Sequence, residues 1–296
     1  MFRTALHSVS YAGVWPGQVC LPITRVIEKA AEMGFDAIML MAKRPHGSLL
    51  ELDADGRAGL RRCLDDHGVG LAALAAYNDF GAGLDRPDVP FVEIQAHYLG
   101  EMARLAADLG GNLVRVFTSF EPIGAGYNQL WCRTVEGLRA SGDRAAEVGV
   151  TLGVQNHHDL AVHYLSFRDL LREVDHPNVK ACFDAWAVAL HGDDVGEAAR
   201  ALAEWTVHTT IADYVRRPRY RYQPNLVNYE RQDDVVRAVP IGEGFIDYRR
   251  FLSVLKELGY GGYVAYEMCS PLEGGGSEAN LDRAARRFLE YVKALG

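Results

Sequence analysis

One pattern limits this chain more than any other: a short apolar run followed by a longer amphipathic run, repeated eight times. The candidate strands are Thr4–Ser10, Asp36–Met41, Gly70–Tyr77, Leu113–Thr118, Thr151–Gln155, Val179–Asp184, Thr206–Ile211 and Gly262–Met268. Helical patterns such as "PITRVIEKAAEMGF", "RAGLRRCLDDHGV" and "VEIQAHYLGEMARLAADLGG" lie between them. Several close on glycine just before the next strand, as in "EMGFD", "AEVGV" and "KELGYGG"; glycine there ends a helix and starts the loop into a strand. Eight such units, with strands apolar on both faces, predict an α/β fold of the (β/α)8 TIM-barrel type. A doubly wound open sheet is the competitor, but no Gly-x-Gly-x-x-Gly follows the first strand. A chain of 296 residues suits one barrel domain over 1–296. One long irregular stretch, Tyr214–Pro240, is rich in Arg and Tyr and is expected to be a lid-like insertion.

The charge balance narrows the partners. A formal net charge of -8 gives no global positive field for nucleic acid or an anionic membrane. No window approaches 18 uncharged apolar residues, and the N-terminus lacks the basic-then-apolar order of a signal peptide. The five cysteines are scattered, with no Cys-x-x-Cys, as in a reduced compartment. The expectation is a cytoplasmic protein acting on a small molecule. The lid's Arg and Tyr residues suit a substrate contact or a subunit contact equally, which leaves a homo-oligomer open.

Chemistry in a barrel belongs at the C-terminal ends of the strands. The polar residues there are His7, Lys43, Tyr77, Asn78, Arg115, Gln155, Asn156, His157, His158, Asp184, Trp186, His208, Thr210, Asp213 and Glu267. Oxygen and imidazole donors converge from the fifth to the eighth strand, as a divalent cation requires. Each has a plainer alternative. Asp184 is equally a helix N-cap, His208 a hydrogen-bonded core histidine, and Arg115 the partner of an acidic neighbour. Glu267 stands apart, because it ends the apolar strand "GGYVAYE", where an unpaired carboxylate is expensive. His157 and His158 would face opposite sides of a continuing strand, so only one is expected in the site.

Over nearly the whole chain, and most strongly from Gly153 onward, these residues resemble the xylose isomerase-like TIM-barrel superfamily of sugar isomerases and epimerases. Gln155-Asn156-His157 stands where that family has a Glu-Asn-His-like motif. Phe183-Asp184 matches the end of its sixth strand, "HTTIAD" its His-x-His/Gln-x-x-Asp, "IGEGFIDY" its Gly-Glu-Gly-x-Ile-Asp, and Glu267 its last ligand. Two positions depart: Gln155 replaces a glutamate, and Thr210 a histidine or glutamine. The resemblance implies a divalent metal ion, Mn2+ or Mg2+, on Gln155, Asp184, Glu267 and, in place of Thr210, His208. It implies Glu267 and His157 as catalytic groups, with His7, Arg115, Asn156, Trp186 and Arg217 around the substrate. The activity implied is proton abstraction next to a carbonyl, by a metal-dependent isomerase or epimerase of keto-sugars or related polyols. A lyase, dehydratase or deglycosidase working by β-elimination, and a non-catalytic sugar-binding relative, are the alternatives.

Overall fold

In a computed structural model describing residues 2–295, the eight alternations close into a barrel. In chain order the elements begin β1 (Arg3–His7), α1 (Ile23–Met33), β2 (Ala37–Met41), α2 (Ala54–Asp66) and β3 (Gly70–Ala75). Next come α3 (Phe91–Asp108), β4 (Leu113–Val116), α4 (Tyr127–Ala146), β5 (Thr151–Gln155) and α5 (Tyr164–Val174). Then follow β6 (Val179–Cys182), α6 (Ala185–His191), α7 (Val195–Leu202), β7 (Thr206–Ile211), β8 (Asp213–Gln223) and β9 (Asn228–Val239). The chain closes with α8 (Tyr248–Glu257), β10 (Tyr263–Tyr266) and α9 (Glu278–Leu295). Strands β1 to β7 and β10 pair in parallel around the ring, and β10 returns to β1.

Local chemistry sets the element ends. Asp53, Asp194 and Asp247 accept hydrogen bonds from Gly56, Glu197 and Arg250 N–H groups, capping α2, α7 and α8. Gly34 ends α1 at φ 91°, a conformation that a Cβ would strain. Several barrel strands stop two or three residues short of the sequence expectation, because Ser8, Tyr77 and Asp184 have already bent into the rim loops.

Two apolar clusters reflect the two-sided burial of the strands. The larger lies between barrel and helices; the smaller, around Ala5, Met39, Ala73, Leu113, Cys182 and Ala265, fills the barrel itself. In β10 Tyr263 and Ala265 belong to the inner cluster and Val264 and Tyr266 to the outer. With a period of two, Glu267 is next to face inward. No helix among the described residues is long and apolar enough to cross a membrane.

The stretch expected to be irregular is ordered. Residues 213–239 form an antiparallel hairpin, β8 against β9, from Asp213↔Val239 to Gln223↔Asn228. Its register shifts between Arg217 and Arg219, around Pro218, which has no N–H to donate to a ladder. Most of its residues are exposed on both faces. It therefore lacks the apolar alternation by which a strand is recognised.

Candidate active site

A cleft of about 550 Å³ opens at the C-terminal rim of the barrel. Its polar lining includes Lys43, Arg115, Gln155, His157, Asp184 and Glu267, and its apolar walls include Phe117, Phe120, Trp186 and Tyr214. Asp184 occupies the N-cap position of α6 but its side chain makes no capping bond. The carboxylate turns inward instead and accepts from Thr210 N at 2.7 Å, from the Thr210 hydroxyl and from Gln155 Nε2. Burial holds its pKa above the ordinary carboxylate range, against the pull of those bonds.

Glu267 has a different setting. Burial first, and the nearby Asp184 charge second, push its carboxyl up to about 7, while Arg115, Thr210 and Lys43 pull it back. Directly beneath, His7 Nε2 lies 4.0 Å from Glu267 Oε1. His7 is itself fully buried, with Nδ1 accepting from Val9 N at 3.3 Å, and burial and Arg115 drive its pKa well below the usual value.

The expectation that only one of the adjacent histidines enters the site is corrected: both line the cleft. The strand ends at Gln155, and His158 takes φ 66°, so the alternation of a strand no longer applies. His158 packs its ring 3.8 Å from Phe120 and 4.0 Å from Phe117, centroid to centroid. His157 Nδ1 accepts from His158 N at 2.7 Å, leaving the ring proton on Nε2. Burial, followed by Arg115, lowers His157 to about 4, so it is neutral at pH 7.

Other expected site residues sit elsewhere. Asn156 lies behind the cleft: its Oδ1 accepts from Asp184 N at 2.8 Å and its Nδ2 donates to Asp184 O at 3.0 Å. Both amide atoms are spent on positioning Asp184. His208 is fully buried and absent from the lining, two residues before Thr210 on β7 and therefore one layer deeper in the barrel. Neither of its ring nitrogens has a hydrogen-bond partner among the described residues. Arg217 stands on the hairpin, 3.7 Å from Glu273 and outside the lining. Trp186 does line the cleft, 5.4 Å from Tyr214. Sequence reasoning placed Lys43 at a strand end without a role and passed over Tyr214, Tyr248 and Cys269, although all four line the cleft. Only Lys43 carried a signal, as a cation at a strand end.

Does this donor set fit a resident divalent ion? Such a site turns several lone pairs toward one point. Here Gln155 and Thr210 turn N–H and O–H donors toward Asp184. Rotating the Gln155 amide would set oxygen against carboxylate oxygen. Among the described residues no three His, Cys, Asp or Glu side chains converge as a metal site. Two cations, Arg115 and Lys43, also line the cleft and lie close enough to Glu267 to lower its pKa. The residues present do not fit the expected Mn2+ or Mg2+.

Fold and cleft together define an α/β-barrel protein with a polar cleft at its rim that holds the Asp184 and Glu267 carboxylates. The chain belongs to the xylose isomerase-like TIM barrel family, whose profile matches residues 27–292. It is 23% identical to 3-dehydroshikimate dehydratase of Bacillus anthracis, over 80% of this chain and 82% of that one. It is 22% identical to D-psicose 3-epimerase of Ruminiclostridium cellulolyticum, over 97% and 96%. Among solved structures, D-psicose 3-epimerase from Clostridium cellulolyticum H10 superposes with a TM-score of 0.76 at 20% identity, covering 99% of both chains. Identities this low establish the shared fold and leave the reaction to be argued from the site.

Proposed function

We propose that the protein is an isomerase or epimerase of keto-sugars or related polyols, moving a proton at the carbon next to a carbonyl with Glu267 as the base. The observation that carries this reading is the contrast between a buried and a half-buried carboxylate in one cleft. Asp184 is held by three donors, whereas Glu267 is poised near neutral pH. A base is most effective when its pKa lies near the working pH. In the step proposed, the Glu267 carboxylate takes the C–H proton. The bonding pair becomes the C=C of an enediolate, and the carbonyl oxygen takes up the negative charge. His157 Nε2–H is a neutral donor for that oxygen, and the Arg115 charge favours it electrostatically. Glu267 then returns the proton to the neighbouring carbon while the enediolate's hydroxyl proton passes to the adjacent former carbonyl oxygen, so that one oxygen becomes the new carbonyl, the other the new hydroxyl, and the 1,2-shift is complete. The rim's aromatic side chains exclude water from the enediolate.

One observation favours a second reading. Gln155 cannot act as a base, so a second carboxylate on the opposite face of the carbon, as two-base epimerisation needs, is missing. A single base also suffices for β-elimination, in which the C–H electron pair forms the C=C and expels the β-hydroxyl, which takes the proton from Glu267 and leaves as water. 3-Dehydroshikimate dehydratase and an inosose dehydratase of Lacticaseibacillus casei are among the similar proteins. Proton NMR in D2O with a panel of ketoses, inososes and 3-dehydroshikimate separates these readings. Deuterium at the α-carbon of a rearranged sugar supports the isomerase, and an unsaturated product the lyase. Binding without exchange on any panel member would contradict both and favour a sugar-binding relative.

A further inference from the structure

The misfit of the cleft to a divalent ion leaves its two cations without a direct partner: Arg115 acts in the proposed proton transfer only through its charge, and Lys43 takes no part in it. Arg115 is 3% exposed and has no carboxylate within ion-pair distance among the described residues. Its Nη1 donates to Ala76 O at 2.9 Å, and its guanidinium lies 3.9 Å from the centroid of Phe117. Its Nε is buried with no hydrogen-bond partner. A guanidinium buried that deeply with an N–H unused is costly unless something else completes it. Lys43 likewise makes no ion pair; its Nζ lies 3.9 Å over the Tyr77 ring, which Arg115 approaches from 5.1 Å. Two positive side chains thus flank one aromatic ring at the cleft. Asp184 does not neutralise them at contact distance, because its oxygens are taken by Thr210 and Gln155.

We propose that Arg115 and Lys43 form an anion subsite that takes a carboxylate of the ligand directly, without a bridging metal ion. The Arg115 Nε–H is unpartnered, and with the adjacent Nη–H it makes a planar edge whose two parallel N–H groups match the two oxygens of a carboxylate. Lys43, at the mouth, adds a point charge that any nearby oxygen satisfies. Phe117 and Trp186 along the same cleft suit a flat, compact acid better than a bulky phosphate ester. Within the keto-sugars and polyols proposed above, the substrate is therefore one that carries a carboxylate, a small hydroxylated keto-acid or ring carboxylic acid. This inference deepens the proton-transfer reading and rests on it for the placement of the reacting carbon.

The test is equilibrium binding of benzoate, followed by the fluorescence of Trp15 and Trp186, which both line the cleft. Its failure is distinguishable from failure of the reaction, because no turnover is measured. In EDTA, wild type should bind benzoate saturably, and added MnCl2 should leave the affinity unchanged. Lys43→Met should weaken binding about tenfold, the value of one charge-assisted contact, and Lys43→Arg should restore it. Lys43 is exposed, so these variants do not endanger folding in the way Arg115→Met would. No benzoate binding, binding that needs Mn2+, an unchanged Lys43→Met protein, or tighter binding of inorganic phosphate would each overturn the proposal.

Discussion

Asp184 and Glu267 share a functional group and a cleft but not a setting, and the difference yields predictions at the scale of single residues. The Glu267 carboxyl is raised to about 7, and the base works when deprotonated. Activity should therefore fall as pH drops through about 7 and plateau above it. Asp184→Asn removes a negative neighbour and should move that limb to lower pH. Lys43→Met removes a positive neighbour and should move it higher; kcat/KM against pH reads both. His208 has a depressed pKa of about 3, caused first by burial and then by Arg115. Its contribution to stability is present above its unfolded pKa and is lost as pH falls from about 6.5 toward 3. His208→Leu should then unfold at lower pH than wild type, with a larger gain in urea midpoint at pH 5 than at pH 7.5. Equal midpoints at both pH values would show that the buried ring is not the acid-sensitive group. Glu267 was legible from sequence because a carboxylate ended an apolar strand. Asn156 and His208 were not, since depth in a barrel and bonds to backbone leave no mark in residue order.

At the scale of elements, the loop after β9 and the hairpin make opposite demands. Asp213 accepts from Gly242 N at 2.8 Å and Gly244 N at 3.0 Å, and a Cβ on Gly244 would sit 1.9 Å from Asp213 Oδ1. The "GEG" text is thus a backbone requirement that joins the start of β8 to the loop before α8. Gly244→Ala should destabilise the fold by about 2 to 3 kcal/mol, as overpacking does, measurable by urea unfolding. The hairpin is tied at its base, where Glu273 N donates to Ala238 O at 2.9 Å and Arg216 donates to Leu190 O at 2.8 Å. Of its residues only Tyr214 lines the cleft. Replacing Arg219–Gln232 with a short turn should change stability by no more than about 0.5 kcal/mol, since exposed positions carry little of it. If the hairpin serves as a lid for its own or a neighbouring cleft, turnover should fall in the same variant. Full turnover would assign it another role. A hairpin exposed on both faces could not be read from periodicity, because there was no buried face to set one.

For the whole molecule, the barrel was legible because its strands are buried on both faces, so that apolar runs alternate with amphipathic helices along the entire chain. Closure of that ring brings β5, β6, β7 and β10 side by side and assembles Gln155, Asp184, Thr210 and Glu267 from positions 112 residues apart at the extremes (267 less 155). What sequence could not show is which groups those side chains turn toward. In the folded protein the amide and hydroxyl are donors to Asp184, which removes them from a cation's shell and leaves Glu267 as the free carboxylate. The central claim is that this one carboxylate moves the proton. Its most direct test is solvent deuterium exchange at the carbon next to the substrate carbonyl, compared between wild type and Glu267→Gln at pH 8. The account expects exchange to fall by about 10²- to 10⁴-fold, the usual contribution of a general base, with substrate affinity kept. Exchange at the wild-type rate in Glu267→Gln would contradict it.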